Sequence, residues 1–264
     1  MQQAIGNILY ERADHIAIVT LNRPECRNAL GGTLREDIVT AMTIAEADDG
    51  VRAIIMTGAG NAFCSGGDLR EIHARAVHGQ TLEDKIEPPR DRTLLAVYEA
   101  SKPVIAAVNG PAMGAGMNLA LAADFRIASQ NAKFAQSHVL RGMMPDYGGT
   151  YLLPLVVGQS KALELIYTGE VLNAAEALGH GVVSRVVEPD ALMDTARAMA
   201  SRIAMNAPLP IRLAKRAVQQ RHLGAMRDAL ARETAAQNVC YASHDGAEGL
   251  RAFLEKREPR FVGQ

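Results

Sequence analysis

The chain has no tryptophan and only three cysteines among its 264 residues. Cys26, Cys64 and Cys240 are odd in number and widely spaced, so no disulfide framework or metal-ligand spacing is visible. Such usage suits a reducing compartment, and a cytoplasmic location is expected. An excess of charge of one sign is also lacking. The formal net charge is −1, which gives no electrostatic case for nucleic acid. No apolar run is long enough to span a bilayer, so no membrane association is expected. No basic stretch followed by an apolar one opens the chain, so no signal peptide is expected. Heptads and low-complexity tracts are absent. What is present is a chain 48% hydrophobic, long enough to bury a substantial core.

One stretch organises the rest. Val104 to Val108 reads as a buried strand, Asn109-Gly110-Pro111 as a turn, and the segment from about Gly114 as a helix with almost no polar side chain. The first N–H groups of such a helix need an acceptor. Gly114, Ala115 and Gly116 leave room for a group to approach the backbone, and the helix dipole favours a negative one. Tight helix packing with glycine spacers is the alternative. A second stretch repeats the pattern. Val51 to Gly58 reads as a strand, and Asn61 to Glu71 supplies glycines and a helix start, with Asp68 and Glu71 at capping-box spacing. Two glycine-lined turns after two buried strands can offer two N–H groups to one oxygen, which is an oxyanion hole.

Along the chain, Ile8–Glu11 and His15–Leu21 read as a hairpin, and Thr33 with Glu36 as a capping box opening a helix to about Ala47. Residues 74 to 90 are polar and weakly periodic, and read as a mobile flap or a surface linker. A helix over 90–101 and a strand over 124–129 follow. This alternation of strands and helices is α/β layering. From Asp190 onward the chain reads as almost entirely helical, broken near Pro208 and Pro210. Asp245 with Glu248 caps the last helix, which runs to about Arg257.

The side-chain chemistry falls between Phe134 and Thr150. Asp146 lies beside Pro145, two methionines and an aromatic, just before Gly148-Gly149. A carboxylate in an apolar pocket holds its proton more tightly than in water and can serve as a base. A turn aspartate ahead of a helix is the alternative. His138 is an acid or base near neutral pH, or an ordinary hydrogen-bonded histidine.

Three segments carry a resemblance. Phe63-Cys64-Ser65-Gly66-Gly67-Asp68-Leu69, the run Asn109 to Gly116, and the run Gly142 to Thr150 resemble the successive signatures of the enoyl-CoA hydratase/isomerase (crotonase) superfamily. The similarity runs from about Ile8 to Phe261. It implies a core of ββα units over residues 1–200. It implies a C-terminal helical oligomerisation region over 201–264, holding a homotrimer or homohexamer. It also implies an acyl-CoA thioester as substrate, with coenzyme A entering as part of that substrate and no permanently bound cofactor. By position, Gly67 and Ala115 supply the oxyanion N–H groups, and the reaction passes through a thioester enolate. Phe253 and Lys256 match positions that reach a neighbouring subunit's CoA. Arg27 and Arg70 are further candidates for CoA binding.

The departures from the family pattern bear on the reaction. Hydratases of the family carry two glutamates, and these align with Asn118 and His138. An amide has no useful basicity, so Asn118 can at most orient a group or a water. Asn118 combined with Asp146 resembles the ring-epoxide and Δ3,Δ2-enoyl-CoA isomerases, in which an aspartate carries the proton. The expectation is therefore double-bond isomerisation. Asp146 removes a proton and returns it two carbons away, while His138 tunes Asp146 or shapes the pocket. The alternatives are an enoyl-CoA hydratase using Asp146 or His138, a 4-chlorobenzoyl-CoA-type dehalogenase, and a non-catalytic CoA- or RNA-binding relative. The absent tryptophan counts against the dehalogenase and the near-neutral charge against RNA.

Overall fold

The computed structural model describes residues 2–77 and 90–264. Its strands are β1 (Gln2–Ile5), β2 (Ile8–Ala13), β3 (Ile16–Leu21), β4 (Ala53–Gly58), β5 (Val104–Val108), β6 (Pro111–Met113), β7 (Phe125–Ser129), β8 (Lys133–Ala135), β9 (Leu172–Asn173) and β10 (Arg185–Val187). Its helices are α1 (Leu34–Ala47), α2 (Leu69–Val77), α3 (Arg90–Tyr98), α4 (Ala115–Ala122) and α5 (Gly149–Val157). They continue with α6 (Gln159–Thr168), α7 (Ala174–Gly179), α8 (Leu192–Ala204), α9 (Pro208–Ala242) and α10 (His244–Glu255).

A seven-stranded sheet runs in the order β1-β2-β3-β4-β5-β7-β10. The apolar runs β3, β4, β5 and β7 are parallel neighbours, and β1–β2–β3 form an antiparallel edge. Both faces of the central strands are covered, which is why they read as unbroken apolar runs. Their side chains alternate between two cores. Ala17, Val19, Ile54, Met56, Val104 and Ala106 enter the larger core with α1 and α4. Ile16, Ile18, Ala53, Ile55, Ile105 and Ala107 face Leu192, Ala196 and Ala200 of α8.

A second sheet, β6-β8-β9, lies beyond the ends of the first. The chain thus repeats one unit: a strand in the large sheet, a short strand in the small one, then a helix. β5–β6–α4 and β7–β8–α5 are complete copies. In β4–α2 the short strand is reduced to single bridges of Cys64 with Ala112 and Gly67 with Leu30. This is the ββα core expected from the sequence.

Several local expectations are corrected. Thr33 does not cap α1; its hydroxyl donates to Asp37 at 2.8 Å instead. Glu71 accepts from Gly32 N at 2.6 Å, and Asp68 caps α2 through Arg70 N at 3.3 Å. Ser243, not Asp245, caps α10, because Asp245 is taken by the N–H groups of Val262 and Gly263. The division at residue 200 falls inside α8. That helix stays whole because its Leu192-Ala196-Ala200 stripe is buried on the sheet, and the break comes between Ala204 and Pro208. Of the segment read as a flap, residues 74–77 belong to α2 and Arg90 opens α3; residues 78–89 lie outside the described residues. No helix among the described residues is long and apolar enough to cross a membrane.

Candidate active site

The site forms where the ends of two ββα units meet. At the first, Leu30 pairs with Gly67: Leu30 N donates to Gly66 O at 2.8 Å, and Asp68 N donates to Leu30 O at 3.4 Å. In a parallel bridge this leaves the N–H of the paired residue pointing away. Gly67 N accordingly has no acceptor among the described residues. The turn needs glycine at position 66, where φ is +92° and a Cβ would stand 2.7 Å from Met113 O. At the second unit, Ala115 opens α4, so its N–H has no intrahelical acceptor. The two turns are locked together at Gly116, whose Cβ would meet Cys64 O at 2.1 Å.

Gly67 and Ala115 line one cavity of about 40 Å³ together with His138 and Asp146. His138 Nε2 lies 3.3 Å from Asp146 Oδ1, and both residues are 8% exposed. The imidazole packs over Gly114, next to the Ala115 N–H, and its buried Nδ1 has no partner among the described residues. The apolar walls are Leu69, Ile72 and Met143, which belong to a small core cluster with Leu250 of α10. The four residues singled out as oxyanion donors and acid–base groups are therefore neighbours.

Asn118 stands behind them. Its Nδ2 donates to the backbone carbonyl of Asp146 at 2.6 Å, and its Oδ1 accepts from Gln136 Nε2 at 2.6 Å. It is fully buried and does not line the cavity. Of the two jobs left open to Asn118, orienting a group or a water, the hydrogen bonds show the first: its amide holds the Asp146 backbone.

Two residues that the sequence reading missed hold the same loop. Gln237 of α9 clips Met144, accepting from its N–H and donating to its carbonyl, both at 3.1 Å. The same amide nitrogen lies 3.5 Å from Asp146 Oδ2. One turn earlier, Glu233 accepts from Gly148 N at 2.7 Å and from Thr150 N at 2.8 Å. Asp146 is thus held two residues to either side from one helix. The clips offset a conformational cost, since Tyr147 sits in the left-handed region at φ +53°. Burial pushes the Glu233 carboxyl up to about 7, against the pull of its donors. Met226, Leu230, Glu233 and Gln237 share one buried face of α9.

The candidate CoA contacts lie elsewhere. Arg27 and Arg70 are exposed, the first on the turn whose carbonyl accepts from Ser65 N at 3.0 Å. Phe253 is 43% exposed and lies under the Arg141 guanidinium, 4.7 Å from its ring centre. Lys256 ends α10 in a left-handed conformation, exposed. None of the four lines the cavity. Cys64, beside the oxyanion turn, is fully buried, and burial pushes its thiol up to about 12, which favours the thiol over the thiolate. No cluster suited to a metal ion occurs among the described residues.

Comparison with known proteins agrees with this fold. The family model for enoyl-CoA hydratase/isomerase matches residues 11–264. A crotonyl-CoA hydratase of Syntrophomonas wolfei is 38% identical, over 99% of this chain and 100% of that protein. A 2,3-dehydroadipyl-CoA hydratase of Escherichia coli is 35% identical, over 98% of this chain and 100% of that one. Among solved structures, an enoyl-CoA hydratase/isomerase from Pseudoalteromonas atlantica superposes with a TM-score of 0.89 at 32% identity, covering 97% of this chain and 100% of that one. Fold, site and similarity together make this chain a member of the enoyl-CoA hydratase/isomerase family, an enzyme acting on acyl-CoA thioesters.

Proposed function

We propose that the protein adds water reversibly across the double bond of a 2-enoyl-CoA, with Asp146 and His138 replacing the family's two glutamates. The thioester carbonyl sits between the N–H groups of Gly67 and Ala115, which stabilise the charge that grows on its oxygen. Asp146 takes a proton from the attacking water as its oxygen bonds to C3, and His138 returns a proton to C2. A proton passed across the short His138–Asp146 gap resets the pair. The observation that carries this reading is the 3.3 Å approach of two proton-transfer groups on the oxyanion cavity. Related proteins named as hydratases weigh in the same direction.

Double-bond isomerisation, the reading drawn first from the sequence, is the second. It is favoured by one observation: Asp146 is the single carboxylate lining the cavity among the described residues. A shuttle between two carbons needs one base, whereas hydration needs a held water. Offering a 2-enoyl-CoA and, separately, a 3-enoyl-CoA distinguishes the two. Loss of thioester conjugation with a 3-hydroxyacyl product supports hydration. Growth of conjugation from the 3-enoyl substrate, without hydration, overturns it in favour of isomerisation.

A homotrimer or a hexamer is part of the same proposal. Large apolar side chains stand exposed on and after α5 and α6, with Leu155 at 51%, Tyr167 at 70% and Val171 at 49%. Burial of such side chains between copies is favourable. Light scattering on the purified protein tests it, and a monomer contradicts it.

A further inference from the structure

Arg35 is a buried charge that the proposed reaction does not use. It lies on α1, is 7% exposed, and lines the cavity that holds Gly67, Ala115, His138 and Asp146. One Nη2 donates to Leu30 O at 2.6 Å, which fixes the guanidinium beside the residue paired with Gly67. Its Nε is buried with no acceptor, and no carboxylate pairs with it among the described residues. A buried guanidinium group with an unmet N–H is costly, and an anion that reaches it removes that cost. Capping Leu30 needs only one of the five guanidinium N–H groups. Leu69, Ile72 and Met143 give the cavity its apolar walls, and Arg35 is the one guanidinium among the described residues that line it.

We infer that Arg35 receives a carboxylate carried on the acyl group, and that the substrates are CoA thioesters of dicarboxylic acids. The planar fork of the guanidinium matches a carboxylate with two parallel hydrogen bonds. This inference rests on reading the cavity as the acyl site, and it supplies the substrate class which that reading leaves open.

The test is binding, which needs no turnover. Titration calorimetry compares succinyl-, glutaryl- and adipyl-CoA with butyryl-, pentanoyl- and hexanoyl-CoA, pair by pair. At least one carboxylated thioester is expected to bind roughly 10–100-fold more tightly than its methyl-ended partner, the range for a charge-assisted pair. Arg35→Gln is expected to bring that ratio close to one, and Arg35→Lys to leave part of it. If the glutamine variant fails to fold, the wild-type ratios and the lysine variant decide. Methyl-ended thioesters binding as tightly in all three pairs, or a preference that survives in Arg35→Gln, overturns the inference. A preference for carboxylated thioesters without hydration of the matching 2-enoyl-CoA supports this inference and rejects the hydration reading. Failure to bind any CoA thioester overturns both.

Discussion

His138 Nε2 and Asp146 Oδ1 stand 3.3 Å apart on the wall of a buried cavity. Each arrives from a different direction. His138 follows β8 and packs over Gly114. Asp146 is held from behind by Asn118 and from the side by α9. The pair separates the two candidate reactions. Hydration uses both groups, whereas a proton shuttle uses the carboxylate. In His138→Gln, hydration is expected to fall by ~10²–10⁴, the usual contribution of a general acid or base. A loss below about tenfold in the steady-state rate indicates that Asp146 works alone.

Restoring the family's glutamate at position 118 is expected to damage the enzyme. Asn118 Nδ2 donates to a carbonyl that a carboxylate would repel. It is also packed tightly, since a Cβ on Gly149 would stand 2.4 Å from that nitrogen. Asn118→Glu is expected to cost about 1–3 kcal/mol through overpacking, before the repulsion is counted. Urea denaturation measures it. A variant that is both stable and a faster hydratase contradicts the role assigned to Asn118.

Glu233 gives a pH signature. Burial raises its carboxyl in the folded chain to about 7, from 4.5 when unfolded. Below pH 4.5 both states hold the proton and the contribution to stability is complete. Between about 4.5 and 7 the unfolded chain releases its proton first, so stability is lost as pH rises. Glu233→Gln removes that dependence. Relative to the variant, wild type is expected to lose up to ~3 kcal/mol between pH 4.5 and 8. Parallel stability–pH curves for the two proteins contradict it.

Gln237 acts by position. Gln237→Ala frees both polar groups of Met144 and removes the amide beside Asp146 Oδ2. A loop shift of the order of 1 Å is expected to lower kcat by up to ~10²-fold. KM is expected to move far less, because the oxyanion donors sit on other elements. Equal changes in kcat and KM point to a general loss of structure instead.

The sequence made the centre of the fold legible and its margins less so. β3, β4 and β5 were readable because strands buried on both faces show as continuous apolar runs. The glycine turns around Gly66 and Gly114 were readable because close backbone approach leaves only small residues. β1 was not, since its Gln2 and Gln3 are exposed and polar. β8 and β9 are too short to show a period of two. The cluster of Gly67, Ala115, His138 and Asp146 followed from motif order. Arg35, Glu233 and Gln237 did not, because a buried polar residue on a helix looks like a solvent-facing one until its partners are known. Asn118 was flagged for its alignment, but its partner, the carbonyl of Asp146, lies 28 residues away.

In the proposed reaction Asp146 is the base, working beside a thioester held by Gly67 and Ala115. The most direct measurement is deuterium uptake from D₂O into the acyl chain during turnover, followed by mass spectrometry for wild type and Asp146→Asn. The substitution keeps the shape of the side chain and removes its basicity. Uptake is expected to fall by ~10²–10⁴, while a saturated acyl-CoA still binds within a few-fold of the wild-type affinity. An unchanged rate of uptake in Asp146→Asn, with binding intact, would contradict the account.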